Sequence, residues 1–222
     1  MKAPIFFVTG TDTDVGKTFV SSLLAVKWKA AYWKPIQTGI ECDEGDTVAV
    51  QRICHTLGYE EDFVGPRYTM KKPLSPLEAM DYEPEINIKI SDFKVPIAWP
   101  ASKPLIMEGA GGVCVPITKN LQTTIDLIKF FIESTGRTVK ILVVGRSGLG
   151  TLNHTLLTVE HLKAKGLGDF ILGCILSGKK NDGNAEILRR YNVDVIAQVD
   201  YCATNQDIRA ALDSIPEIES LL

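Results

Sequence analysis

The run Gly10-Thr11-Asp12-Thr13-Asp14-Val15-Gly16-Lys17-Thr18 follows an apolar stretch, Ile5-Phe6-Phe7-Val8, and has the composition of a phosphate-binding loop. In such a loop backbone N–H groups wrap the phosphates at a helix N-terminus, a lysine reaches the terminal phosphates, and a Ser or Thr hydroxyl ligates Mg²⁺. Five residues separate Gly10 from Gly16, one more than the pattern G-x-x-x-x-G-K-[ST] allows. Context supports the assignment nonetheless. The apolar stretch reads as a strand, and Phe19, Val20, Leu23, Leu24, Ala25 and Val26 follow at helical spacing. The alternative is an ordinary glycine-rich turn from strand to helix. The expected ligand is a magnesium nucleoside triphosphate.

Phosphoryl transfer asks a protein for cations, metal ligands and backbone donors more than for covalent help. Lys17 is expected on the β- and γ-phosphates, and Thr18 as the first Mg²⁺ ligand. Two carboxylates are candidates to complete the metal site, Asp46 after Asp43-Glu44-Gly45 and Glu108 at the end of an apolar strand. The small residues Gly109-Ala110-Gly111-Gly112 after Glu108 would let backbone approach a phosphate; the bland alternative is a strand-end acid in solvent. Asp46 reads equally well as the N-cap of a helix carrying Val48, Val50 and Ile53. Lys34 closes another apolar strand beside Pro35, where it could bind a substrate carboxyl or stabilise charge, or snorkel to the surface. Arg146 reads as a phosphate clamp or a surface charge. His154 and His161 share a helix face with no third ligand evident, so a metal site there is not expected. His55 reads as a helix-end residue, and Trp28, Trp33 and Trp99 as packing residues.

These residues need a scaffold, and short β-rich runs at 5–8, 31–33, 105–107, 139–144, 170–176 and 193–199 supply one. The runs are apolar throughout rather than alternating, as in parallel strands buried on both faces. The expectation is an α/β fold, a doubly wound, mostly parallel sheet flanked by helices of the P-loop NTPase type, forming a single domain over 1–222. Ligands of such sheets sit at the carboxyl ends of the strands, where Lys34, Glu108 and the glycine-rich stretch Gly145-Arg146-Ser147-Gly148-Leu149-Gly150-Thr151 fall. The stretch 60–103, broken by Pro66, Pro73, Pro76, Pro84, Pro96 and Pro100, reads as an excursion from the sheet with one or two short helices.

The 222 residues are 45% hydrophobic and 23% charged, ordinary for a globular protein, and a net charge of −3 gives no basic stripe for nucleic acid. Five cysteines, Cys42, Cys54, Cys114, Cys174 and Cys202, are scattered without a C-x-x-C pair and read as reduced thiols. The N-terminal apolar stretch runs straight into the phosphate loop, so neither a signal peptide nor a membrane span is expected, and the localisation is expected to be cytoplasmic.

Together the blocks Gly10 to Thr18, Lys34-Pro35 with Thr38-Gly39, Asp46, Glu108-Gly109-Ala110-Gly111-Gly112, and Gly150 through Asn153-His154 resemble those of the dethiobiotin synthetase family, including its longer loop spacing. The resemblance implies ATP- and Mg²⁺-dependent carboxylation of 7,8-diaminononanoate with CO₂ or bicarbonate to dethiobiotin, through a carbamate and its phosphoric anhydride. It implies catalytic roles for Lys17, Lys34 and Thr13, and Thr18, Asp46 and Glu108 as metal ligands. Nucleotide contacts would come from Asp14, Val15, Gly16, Lys17, Thr18, Phe19, Asp46, Glu108, Gly109, Ala110 and Gly111. Substrate would be held by Thr13, Lys34 and Thr38, and by Gly150, Thr151, Leu152 and Asn153 across the interface of a homodimer. A substrate carboxylate at that helix start is physically sensible, because unpaired N–H groups and the helix dipole favour an anion.

The chain departs from the family pattern where the base would be read. Leu176-Ser177-Gly178-Lys179 stands where relatives have an Asn-Asp pair, and Ala197-Gln198-Val199-Asp200-Tyr201 lacks their Ile-Pro. Leu77 stands where a relative has His. Weaker discrimination among nucleoside triphosphates is the expectation. Three other readings compete: a partition-type switch ATPase, whose extra lysine is missing at Thr11, Asp12 and Thr13; a guanine-nucleotide switch, whose Asn-Lys-x-Asp motif is absent; and a small-molecule kinase.

Overall fold

A computed structural model of the chain describes residues 2–60, 63–95, 100–200 and 204–222. The described residues form nine strands and seven helices: β1 (Ile5–Gly10), α1 (Lys17–Lys27), β2 (Ala31–Trp33), β3 (Ile36–Gln37), α2 (Asp46–Thr56), β4 (Phe63–Val64), β5 (Tyr68–Thr69), α3 (Pro76–Tyr82), β6 (Leu105–Gly112), α4 (Thr124–Ser134), β7 (Val139–Arg146), α5 (Thr151–Ala164), β8 (Ile171–Ser177), α6 (Asp182–Arg190), β9 (Val195–Val199) and α7 (Asn205–Asp213). Seven strands form one sheet in the order β4-β2-β6-β1-β7-β8-β9, and every neighbouring pair is parallel. This is the doubly wound arrangement of phosphate-loop NTPases. The chain leaves β1 on one side and later returns from β6 to β7 on the other, so crevices open at the carboxyl ends of the strands flanking β1.

Side chains alternate between two apolar layers. Ile5 and Phe7 of β1 join Ala31, Trp33, Leu105, Met107, Ile141 and Val143 in one, against residues of α3, α4, α5 and α6. Phe6 and Val8 join Tyr32, Ile106, Leu142 and Val144 in the other, against α1, α2 and α7. Burial on both faces explains why these strands read as unbroken apolar runs. Trp28 packs on Phe6 with ring centroids 4.6 Å apart and donates its indole N–H to the Pro216 carbonyl; Trp33 meets Phe131 edge-on. Both are packing residues, as expected, whereas Trp99, Pro96, Tyr201 and Cys202 lie outside the described residues.

The amino ends of three strands are stapled by one guanidinium. Arg137 donates to the carbonyls of Ala3 (2.6 Å), Pro4 (3.4 Å) and Lys103 (2.6 Å), tying the starts of β1, β6 and β7 together at the end away from the phosphate loop.

Among its described residues the excursion after α2 carries a short helix, α3, and a 3-10 turn, Ile90–Asp92. A second, two-stranded parallel ribbon orders it: Ile36 pairs with Tyr68 and Gln37 with Thr69. The two-residue strands β3, β4 and β5 have no counterpart among the sequence-based strands. Two strands also run further than expected. β6 continues through Gly112, which puts Glu108 inside the strand rather than at its end, and β7 continues to Arg146.

Candidate functional site

Strand register brings the charged residues together. Side chains directly opposed in a parallel pair point to the same face, and Val8 pairs with Glu108 while Tyr32 pairs with Ile106. Period-2 alternation therefore puts Glu108, two residues past Ile106, in the layer occupied by Tyr32 and α1. Lys34 is two residues past Tyr32 and shares that face. Thr18 enters from the first turn of α1 and Asp46 from the first residue of α2.

The resulting network is dense. Glu108 is completely buried; its Oε1 accepts from Lys34 Nζ and from Thr18 Oγ1, each at 3.0 Å, and its Oε2 accepts from the Tyr32 hydroxyl at 3.0 Å. Lys34, only 5% exposed, also pairs with Asp46 Oδ2, and Thr18 Oγ1 lies 2.9 Å from Asp46 Oδ1. The single Thr18 hydroxyl proton serves one carboxylate at a time. Lys34 is thus not a snorkelling surface lysine. Asp46 is not a helix cap either, because Gly45 takes the N-cap position and the carboxylate turns to Lys34. What caps α2 is Gln37, whose Oε1 accepts from the Asp46 N–H at 2.9 Å while its Nε2 donates to the Thr38 carbonyl at 2.7 Å. Gly45 has φ +83°, and a Cβ there would meet the Gln37 amide at 3.2 Å.

Protonation follows from these contacts. Burial works against the Lys34 ammonium, but Glu108 and Asp46 outweigh it and hold its pKa above the ordinary 10.5. Burial likewise works against the Asp46 carboxylate, and Lys34 with Thr18 overcomes it, leaving the pKa below 3.8. Lys17 goes the other way: burial and the neighbouring Lys34 lower its pKa. Burial first and Glu108 second push the Tyr32 phenol well above 10, so it is a hydrogen-bond donor at any working pH.

The phosphate loop is held by its own backbone. Lys17 Nζ donates to the Asp12 carbonyl at 2.8 Å, and the Asp12 side chain accepts from the Thr13 N–H at 2.8 Å and from Arg146 at 2.9 Å. Arg146 therefore latches the loop from the end of β7. Gly16 begins α1 at φ +91°, and a Cβ would come within 2.4 Å of Ser177 Oγ. No residue but glycine fits there.

A cleft of about 740 Å³ opens over this network. Thr13, Asp14, Gly16, Lys17, Thr18 and Phe19 line it, as do Lys34, Thr38, Asp46, Glu108, Ala110 and Gly111. The excursion forms a wall through Pro73, Leu74, Ser75, Pro76 and Glu78. Two expected contacts stand behind the surface. Val15 is buried in the layer with Phe6 and Val8, and a Cβ on Gly109 would meet the Phe7 ring at 3.0 Å, so neither lines the cleft. Gly150, Thr151, Leu152 and Asn153 begin α5 outside this cleft, beside a fully exposed Leu149.

The donor set suits a small hard cation. Asp46, Glu108 and the Thr18 hydroxyl are all oxygen ligands, and an ammonium already sits on the same two carboxylates. Mg²⁺ binds typically through one or two protein carboxylates plus substrate phosphates, so these residues fit it. Among the described residues His154 and His161 join no cluster of three or more possible metal ligands. Cys42, Cys54, Cys114 and Cys174 are free thiols, and burial raises Cys54 and Cys174 to about 12. No described helix is long and apolar enough to cross a membrane.

Known proteins share this pattern. A family model described as an AAA domain matches residues 5–208. The ATP-dependent dethiobiotin synthetase BioD of Paramagnetospirillum magneticum is 40% identical over 194 residues, covering 87% of this chain and 86% of that protein. The chain belongs to the dethiobiotin synthetase family. The biotin biosynthesis bifunctional protein BioCD of Bordetella avium is 37% identical over 219 residues, 97% of this chain, and this chain spans 44% of that longer protein. Among solved structures, chloroplast FtsY from Physcomitrella patens superposes with a TM-score of 0.50 at 15% identity, covering 96% of this chain and 66% of that one. That likeness concerns the fold alone.

Tyr32, Gln37 and the Arg146–Asp12 pair went unnoticed in the sequence. A signal existed for Tyr32, which stands two residues before Lys34 and so shares its face of the strand.

Proposed function

We propose that this protein forms dethiobiotin from 7,8-diaminononanoate, CO₂ and ATP, as a cytoplasmic homodimer. The observation that carries the reading is Lys34, a buried ammonium held between Asp46 and Glu108 at the mouth of the phosphate loop. A switch ATPase or a simple kinase gives no reason for a second buried lysine closing β2 beside the first.

In the proposed reaction one substrate amine attacks CO₂ and loses a proton, giving a carbamate. A carbamate oxygen then attacks the γ-phosphorus of ATP, the bond to the β,γ-bridging oxygen breaks, and ADP leaves. The second amine attacks the carbamoyl carbon and loses a proton, phosphate departs, and the ureido ring closes. Negative charge peaks when carbamate and γ-phosphate meet. Lys17 and Lys34 supply two ammonium groups there, and the loop N–H groups add fixed donors. Thr18, Asp46 and Glu108 would hold Mg²⁺, which when bound neutralises phosphate charge. Thr13 and Thr38 offer hydroxyls on the cleft wall for orienting the substrate amines. The start of α5 would receive the substrate carboxylate of the partner's site, in keeping with its position outside the cleft of its own chain.

The test is to incubate the pure protein with diaminononanoate, labelled bicarbonate and MgATP and to look for labelled dethiobiotin. ATP hydrolysis that needs no diamine and yields no such product would refute the reading in favour of a switch ATPase.

A further inference from the structure

Glu108 has two oxygens with different duties. Oε1 faces the cleft side of the network and is shared by Lys34 and Thr18; Oε2 points back into the sheet, where the Tyr32 hydroxyl is the partner that the structure gives it. Tyr32 is completely buried, in the layer with Phe6, Trp28, Ile106 and Cys54, and its ring is fixed by that packing. A phenol so held keeps its hydroxyl oxygen at one place, beside Oε2. We propose that Tyr32 is a positioning residue for metal–nucleotide binding, fixing the rotation of the Glu108 carboxylate so that Oε1 faces Thr18 and Asp46.

The choice of donor is physically apt. Each oxygen of a buried carboxylate needs a donor, and a missing partner leaves an unsatisfied charged acceptor. A second cation on Oε2 would serve it but would cancel charge that the metal requires. A neutral hydroxyl satisfies the oxygen and leaves the negative charge in place. The geometry needs a long side chain, because Tyr32 is opposite Ile106 and must reach Glu108 diagonally, two residues along the next strand. Phenylalanine would fill the same space and reach no oxygen.

The inference rests on the proposed metal site, and its test separates the two. Mn²⁺ binding in the presence of ADP, followed by the loss of its free-ion EPR signal, is compared in the wild-type chain and Tyr32→Phe. Outer partners of metal ligands typically affect affinity by 10–100-fold, and a loss in that range is expected. In dethiobiotin formation the concentration of Mg²⁺ giving half-maximal rate should rise by the same factor, while KM for the diamine and kcat at saturating Mg²⁺ stay within about twofold. Mn²⁺ affinity within twofold of wild type overturns the inference, whether or not the melting temperature falls, because a purely structural hydroxyl changes only the latter. A wild-type chain that binds no Mn²⁺ with ADP overturns it as well. Failure of the wild-type chain to make dethiobiotin while binding Mn²⁺–ADP would instead sink the reading of the reaction and leave Tyr32 judged by the titration. As a second measurement, Tyr32→Phe should shift the unfolding equilibrium at least tenfold in the native background and less than threefold beside Glu108→Met. Equal shifts in both backgrounds would show that the phenol does not act through the carboxylate.

Discussion

Replacing Lys34 by methionine keeps most of the stem and removes the ammonium, and the network predicts two separate losses. The first is stability. Glu108 stays fully buried with only the hydroxyls of Thr18 and Tyr32 as donors, and Asp46 loses its cation. Breaking a buried pair by removing one partner costs about 3–5 kcal/mol, and the partial exposure of Asp46 argues for the lower end, about 3 kcal/mol. In a chain of this size each kcal/mol moves Tm by about 2–4 °C, so a fall of about 6–12 °C is expected by calorimetry. Added Mg²⁺ should recover more of Tm in Lys34→Met than it adds to the wild type, because the two carboxylates then lack their own cation. The second loss is turnover. Removing one charge-stabilising donor from a reacting centre costs about 10²–10³ in kcat, or roughly 3–4 kcal/mol. Labelled bicarbonate incorporation at saturating diamine and MgATP reads it directly. A folded Lys34→Met protein with near-normal kcat would refute the placement of this ammonium at the reacting centre.

Three further outcomes follow from other parts of the molecule. Arg137→Ala removes three carbonyl contacts at the amino ends of β1, β6 and β7 and should cost about 2 kcal/mol of stability with kcat unchanged; equal loss of kcat in the still-folded variant would contradict a purely structural staple. The Asp46 pKa lies below its unfolded value of 3.8, so its contribution is present above that pH and disappears as pH falls through the lowered value. The Lys34 pKa lies above 10.5, so its contribution is full below 10.5 and disappears as pH rises through the raised value. Denaturant titrations should therefore find the Asp46→Asn difference constant from about pH 5 to 9 and shrinking in acid; a difference that shrinks near pH 7 would be inconsistent with those directions. Finally, Ser177 and Gly178 depart from the Asn-Asp pair that the family resemblance implies for reading the base, so kcat/KM for ATP and GTP should differ little, and a strong preference for ATP would show that base reading is rebuilt elsewhere.

Much of the fold is legible in the sequence. Six runs of apolar β-formers mark six of the seven strands of the main sheet, because strands buried on both faces leave an unbroken signal. The end of β6 was not legible, since Gly109 to Gly112 carry no β-forming side chain, and Gly112 is held against Gly10 of β1 by pairing rather than by propensity. Asp46 was ambiguous because Gly-Asp before a helix suits a cap and a ligand alike; only the Gln37 amide on its N–H decides that the carboxylate is free to turn inward. Tyr32 was hidden by its apolar neighbours. Its role depends on which strand lies beside β2, and strand order is set by long-range packing that no local pattern encodes.

Glu108 also bears on how the chain finds its fold. Sheet register has a period of two, so a slip of β6 by a single residue against β1 would turn every one of its side chains to the opposite layer. The carboxylate would then lie in the layer of Phe7, Trp33 and Phe131, far from the ammonium and hydroxyls that satisfy it. An apolar strand made only of Leu105, Ile106 and Met107 could tolerate such a slip, since both layers are oily. A charge in the middle of the strand cannot, because an unpaired buried ion costs several kcal/mol. The group that the proposed chemistry requires thus doubles as a proofreading mark for strand pairing, and Glu108→Leu should fold to a less uniquely registered sheet as well as to an inactive one.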